Sequence, residues 1–224
     1  MSKLEIYQTF EDGMAKLGLK VGDRTANLAD LLECWQPLCD DESIFKAYGQ
    51  DHHAACKGCP NNCCNTAYVI PDLISFRKMA AHLNVTEAEF VQGWFQPDKL
   101  ALGLLKLKSD PCVFLQEGIC SIYPLRSLIC RFYICTDLAP ATEQLVYSIA
   151  WSGAAATLLY ARQQGYLPAP APSGYTSFDR FFMELAEAYQ GLPGMQAFFR
   201  AENYRDIPLQ YFLPEDGSLL SHDE

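Results

Sequence analysis

Ten cysteines are the residues of this 224-residue chain best suited to chemistry, and their distribution matters more than their number. Four fall within nine residues, CKGCPNNCC, as Cys56, Cys59, Cys63 and Cys64. Four more, Cys112, Cys120, Cys130 and Cys135, fall within PCVFLQEGICSIYPLRSLICRFYIC. None lies between Asn65 and Pro111 or after Cys135. Three accounts compete. A disulfide framework suits small secreted domains with weak cores. Buried free cysteines act as small hydrophobes and would scatter along apolar faces, not crowd a Gly/Pro/Asn-rich turn. Metal ligation explains both the crowding and the turn. A C-x2-C turn lets two thiolates converge on one ion while backbone N–H groups point at the sulfurs.

The eight clustered cysteines would fill two tetrahedral zinc sites, two iron–sulfur clusters, or one cluster with spare thiols. Cys63 and Cys64 are adjacent, and neighbouring side chains diverge in an extended segment and are expected to diverge in a turn too, so one of the pair is expected to serve a second centre or a wall of the first. No histidine lies in either cluster; His52 and His53 sit just upstream as exposed loop residues. Arg126 and Arg131 flank the second group and Lys57 lies inside the first. Such cations would lower thiolate pKa values and raise the reduction potential of a bound cluster, which makes the two arginines candidates for cofactor binding. Pairing of Arg126 with a carboxylate to order the loop is the alternative. Tyr123, Phe132 and Tyr133 would shield a cluster from water or simply pack in the core. Cys34 and Cys39 are too far upstream to share the first loop and read as core.

The elements that must position these sulfurs come from composition and periodicity. Hydrophobic residues are 50% and charged residues 20%, enough for a packed core. Lys and Arg number 17 against 27 Asp and Glu, for a net charge of −10. All lysines lie at or before Lys108, and beyond Arg131 four arginines face eleven acids. Nucleic acid and anionic membrane are therefore poor partners. No apolar run reaches the ~18 residues of a membrane span, and the N-terminus lacks the pattern of a secretory signal, so a cytoplasmic location is expected. There is no G-x-G-x-x-G after a strand, no Walker loop, no H-E-x-x-H, no G-x-S-x-G and no radical-type C-x3-C-x2-C.

Three regions are expected: a helical segment over 1–50, a cysteine-cluster domain over 51–137 and a helical region over 138–224. The first carries Leu28, Leu31, Leu32 and Trp35 on one helix face. In the second, TAYVIP (66–71) reads as a short strand. Asp72 caps a helix with Leu73, Phe76, Met79, Ala80 and Leu83 on one face. Thr86 to Glu89 forms a capping box that opens another helix to about Phe95. Residues 97–111 read as a linker or strand pair. CVFL and ICSIY read as strands around the turn Gln116-Glu117-Gly118, and LRSLICRFYIC as a helical turn or loop. In the third region a long helix runs from Thr142 to Gln164 and is closed by Gly165. Its small residues from Gly153 to Ala156 permit close approach of another element. Residues 165–174 form an extended Pro-rich linker. Ser177 caps a helix to about Tyr189, 193–205 adds another, and the last ten residues fray. The fold class is mainly α (α+β), with a small irregular cysteine-rich core and short strands packed on several helices.

CKGCPNNCC, followed about fifty residues later by CVFLQEGICSIYPLRSLICRFY, resembles the YkgJ-type cysteine cluster family, whose members are described as zinc- or iron-chelating. Cys56, Cys59, Cys63 and Cys64 match its first motif. Cys112, Cys120, Cys130 and Arg131 match its second, with Phe114, Leu115, Gly118, Ser121, Ile122, Tyr123 and Arg126 as framework. The resemblance covers roughly residues 54–135. Where the family pattern has Pro, this chain has Ser127, a change expected to loosen a turn and touch no ligand. Cys135 lies beyond the motif. The family is related to flagellin lysine N-methylase, which implies S-adenosylmethionine-dependent methylation of a protein lysine, although no cofactor motif here accompanies that implication. Three functions are thus carried forward. The first is a cytoplasmic iron–sulfur protein, with a 4Fe–4S centre as one form, for redox or cluster-dependent modification chemistry. The second is a zinc-stapled module whose acidic tail binds a protein partner. The third is a protein N-methyltransferase.

Overall fold

The computed structural model describes residues 3–11, 13–48, 57, 59, 63–214 and 217–220. The chain opens on an antiparallel hairpin, β1 (Leu4–Glu11) and β2 (Met14–Val21), in register from Leu4 opposite Val21 to Glu11 opposite Met14. This corrects the helical expectation for the start of the chain. The signal is present in the sequence: Leu17, Leu19 and Val21 recur with period two and are buried, while Lys20 points out. The dipeptide Asp12-Gly13 is a hairpin sequence. Helix α1 (Leu28–Trp35) buries the four apolar residues its spacing singled out and is opened by a capping box between Asn27 and Asp30. A 3-10 turn (Gln36–Asp40) and α2 (Glu42–Tyr48) follow.

Residues 66–71 form no strand; Val69 merely accepts a hydrogen bond from the Leu107 amide at 2.9 Å, because among the described residues no neighbouring strand extends the ladder. Helices α3 (Leu73–His82) and α4 (Glu87–Trp94) start at the caps read from the sequence, Asp72 and Thr86. The segment expected as linker or strand pair contains a short helix, α5 (Pro97–Ala101), with proline in its first turn. A two-residue hairpin, β3 (Leu115–Gln116) and β4 (Ile119–Cys120), turns through Glu117 and Gly118 at φ +50° and +78°. These are the left-handed values that a tight hairpin turn requires. Helix α6 (Leu128–Phe132) comes next.

The longest element, α7 (Pro140–Gln163), starts with proline in its first turn. Its Gly153 lies against Asp72 so closely that a β-carbon there would fall 2.5 Å from the Asp72 Cβ. Helix α8 (Ser177–Tyr189) is capped by Thr176 in a box with Asp179, one residue earlier than expected. Helix α9 (Pro193–Arg200) stops at Arg200, and a separate 3-10 turn (Tyr204–Asp206) follows where the sequence pattern suggests a continuing helix. The terminus is tied down in part: the Val21 amide donates to Leu219 at 2.7 Å, and Leu219 is buried.

Among the described residues the architecture is mainly α with two small two-stranded sheets, in keeping with the mainly α (α+β) class expected. Buried side chains from the hairpin, the cysteine segment and α7–α9 form one hydrophobic cluster. No helix among the described residues is long and apolar enough to cross a membrane.

Candidate metal centre

Seven cysteines from the two segments line one cavity: Cys59, Cys63 and Cys64 from the first, Cys112, Cys120, Cys130 and Cys135 from the second. Cys56, His52 and His53 lie outside the described residues. The cavity measures about 80 Å³, well beyond the ~10–15 Å³ a single water requires. Met79, Val69, Leu107, Phe114 and Ile122 supply apolar wall. Helix α3, through Met79, is therefore part of the site's floor.

Local structure sets each sulfur. A 3-10 turn (Cys63–Asn65) carries the adjacent pair, closed by the Thr66 and Ala67 amides donating to the Cys63 carbonyl. The Cys112 amide donates to the Cys64 carbonyl at 2.7 Å, which joins the segments backbone to backbone. Cys120 sits in β4 opposite Leu115. Ser121 returns to the Phe114 carbonyl through its amide at 2.8 Å and its hydroxyl at 3.1 Å. Cys130 rides on α6. No disulfide joins any two of the nine described cysteines.

The adjacent pair does not diverge as expected. Both residues line the same cavity, and Cys63 supplies the Cys64 sulfur with a hydrogen bond. The backbone there is a 3-10 turn, and even so it leaves both side chains on the cavity. That hydrogen bond, reinforced by the charge of Arg126, outweighs burial and brings Cys64 down to about 6. Burial raises Cys112, Cys120 and Cys130, the last to about 12, and the negative charge of Cys64 adds to the rise at each. Arg126 opposes that rise at Cys120 and Cys130 and lowers Cys64.

The two arginines part company. Arg126 is buried and lines the cavity; its guanidinium stacks 3.6 Å from the Tyr123 ring centre, and Nε donates to the Tyr123 carbonyl at 3.2 Å. The Tyr123 hydroxyl donates to the Asp40 carboxylate. Arg131 does not line the cavity: Nε donates to Gln36 Oε1 at 3.0 Å, and the guanidinium faces the Tyr204 ring at 5.9 Å. Successive residues on a helix point about 100° apart, so Arg131 leaves the side that Cys130 occupies. The aromatics divide likewise. Tyr123 and Tyr133 line the cavity, whereas Phe132 is buried edge-on against Trp35. Cys34 and Cys39 do not line it; their thiols donate to the carbonyls of Leu31 and Arg131, each at 3.2 Å, and burial raises Cys34 to about 11.

Sequence reasoning missed a supporting layer. Ser127, expected to touch no ligand candidate, donates its hydroxyl to Cys130 Sγ at 3.3 Å. The spacing S-x-x-C across one helical turn is the available signal. Asp72, Ser75 and Tyr204 hold the backbone beside it: Asp72 Oδ2 accepts from the Leu128 amide at 3.0 Å, and the Ser75 hydroxyl donates to the Arg126 carbonyl at 3.3 Å. No sequence pattern marks Tyr204 for this role.

The donor set fits a thiophilic metal. No His, Asp or Glu appears among the described residues of the cavity wall, and an all-sulfur set suits zinc or iron–sulfur chemistry. Among the described residues, no three His, Cys, Asp or Glu side chains are grouped tightly enough to hold an ion as they stand. Ligation therefore requires the sulfurs to draw together.

Residues 55–148 match a family model, CxxCxxCC, described as "Putative zinc- or iron-chelating domain". The match agrees with the resemblance carried by the two cysteine motifs and supports a metal-binding role for the segment that builds the cavity. No curated protein and no solved structure matches the chain.

Proposed function

We propose that this chain, whose residues 55–148 match the CxxCxxCC family model, binds metal at the shared cavity and holds an iron–sulfur cluster there, for redox or cluster-dependent modification chemistry in the cytoplasm. The observation that carries the reading is the shared cavity: seven sulfurs from two distant segments face one apolar space with a buried arginine in its wall. A thiolate-held cluster is anionic overall, and burying an anion is costly unless a cation is near. Arg126 meets that need. The apolar wall and the rings of Tyr123 and Tyr133 restrict water, which tunes potential. We take Cys64, Cys112, Cys120 and Cys130, which share the cavity wall with Arg126, as one ligand quartet. Cys56, Cys59, Cys63 and Cys135 are then available to complete the centre or to form a second one. When bound, the cluster supplies one-electron chemistry; the chain's own residues hold it, shield it and offset its charge.

Purification without oxygen, with a visible spectrum and iron and sulfide analysis, tests this. A coloured protein with iron and acid-labile sulfide is expected. A colourless protein carrying stoichiometric zinc overturns the cluster. That outcome would favour a second reading, a zinc staple, which the same quartet supports because four thiolates saturate a structural zinc.

A further inference from the structure

Ser127 occupies the N-cap of α6, yet its hydroxyl makes no capping bond. The helix start is served instead by Asp72, whose Oδ2 accepts the Leu128 amide at 3.0 Å. The Ser127 hydroxyl is thereby released, and it donates to Cys130 Sγ at 3.3 Å. The residue is fully buried, so no water competes for that hydroxyl. Its backbone, φ −60° and ψ 159°, is one that many residues adopt, proline included. The backbone therefore does not demand serine, and what serine contributes is the hydroxyl on the sulfur.

We infer that Ser127 is a positioning residue of the metal centre, orienting the Cys130 sulfur and drawing off part of its negative charge through an O–H···S bond. The inference rests on Cys130 being a ligand, as proposed above. Groups that hydrogen-bond a ligand fix its orientation and set how strongly it donates, and their loss costs about 10–100-fold in affinity. Hydrogen bonds to cluster sulfurs likewise set potential.

The test uses the full reduced chain loaded with Zn²⁺ or, as a spectroscopic probe, Co²⁺. Ser127→Thr and Ser127→Val have the same shape and differ in one hydroxyl. In competition with a chromophoric chelator, the Val variant is expected to bind Zn²⁺ about tenfold more weakly than the Thr variant. Its thiolate-to-cobalt charge-transfer band moves to longer wavelength, because the sulfur donates more strongly once the hydrogen bond is gone. A purely structural role would not move that band. Thr and Val variants alike in both readouts overturn the inference. Should the branched residues prevent folding, Ser127→Ala decides: wild-type affinity and band overturn it, weaker binding and a shifted band support it. A wild-type chain that takes up neither Zn²⁺ nor Co²⁺ overturns the metal reading beneath it, an outcome distinguishable because it needs no variant.

Discussion

The carboxylate of Asp72 receives the backbone amide of Leu128 at 3.0 Å while also capping its own helix through the Ser75 amide at 3.0 Å. One side chain thus starts two helices, α3 under the cavity and α6 carrying Cys130. Tyr204 completes the arrangement from the C-terminal region, donating to Asp72 Oδ1 at 3.0 Å and lying 2.7 Å from the Ser75 hydroxyl. All three side chains are buried.

Tyr204→Phe is expected to destabilise the chain by about 1–3 kcal/mol, the range for leaving a buried partner short of a hydrogen bond. Asp72→Ala should cost more, since it strips the acceptor from the Ser75 amide, the Leu128 amide and the Tyr204 hydroxyl together. Urea denaturation checks both. Equal stability of Tyr204→Phe and wild type would show that the hydroxyl contributes nothing to folding.

Metal content should separate the cysteines by location. Cys130→Ser and Cys59→Ser are expected to lose metal and stability together, because ligation and folding are linked. Cys34→Ser, away from the cavity, should keep its metal. Elemental analysis of the purified variants decides, and the opposite pattern means the ligands are misassigned.

Gly153→Ala probes the contact between α7 and the α3 cap. The added methyl would fall 2.5 Å from Asp72 Cβ and 3.2 Å from Phe198. Overpacking of this kind costs about 1–3 kcal/mol, or roughly 2–4 °C per kcal/mol in Tm for a chain of this size. An unchanged melting temperature would mean that the helices separate without penalty.

Acid should expose the Lys99–Asp179 pair. Asp179 is buried, and its carboxylate is 2.6 Å from Lys99 Nζ. Burial would raise its pKa, but the bonds from Lys99, Thr176 and Tyr68 hold it below the ordinary carboxylate value. A depressed folded pKa means the stabilisation is complete above the unfolded pKa, about 3.9, and is lost as pH falls through the lower folded value. Lys99→Met removes the counter-charge, raises the folded pKa and moves the acid loss to higher pH. The variant should also be weaker at neutral pH by about 3–5 kcal/mol, the cost of an unpaired buried charge. Denaturant midpoints from pH 2.5 to 7 test this, and superimposable profiles would refute it.

Signals confined to a few neighbouring residues are legible in the chain alone. Asp72, Thr86, Gly165 and the Gln116–Gly118 turn can be placed from sequence because capping and turn chemistry act within one turn of the chain. The hairpin over residues 4–21 is equally local, yet a helical expectation for this stretch passes over its period-two burial and its Asp12-Gly13 pair. The strand expected at 66–71 fails for the opposite reason, since a strand exists only where another pairs with it.

The donor chemistry of the candidate metal centre is written in the chain itself. Clustered cysteines without histidine restrict the donors to sulfur, and ligand chemistry depends on residue type and spacing. Folding alone decides which side chains face that centre. It brings Cys112 onto the carbonyl of Cys64, keeps Arg126 at the cavity and turns Arg131 away, puts the Ser127 hydroxyl on Cys130, and carries Tyr204 back to Asp72. Such contacts depend on helix phase and on packing between distant segments, which no local pattern of residues encodes.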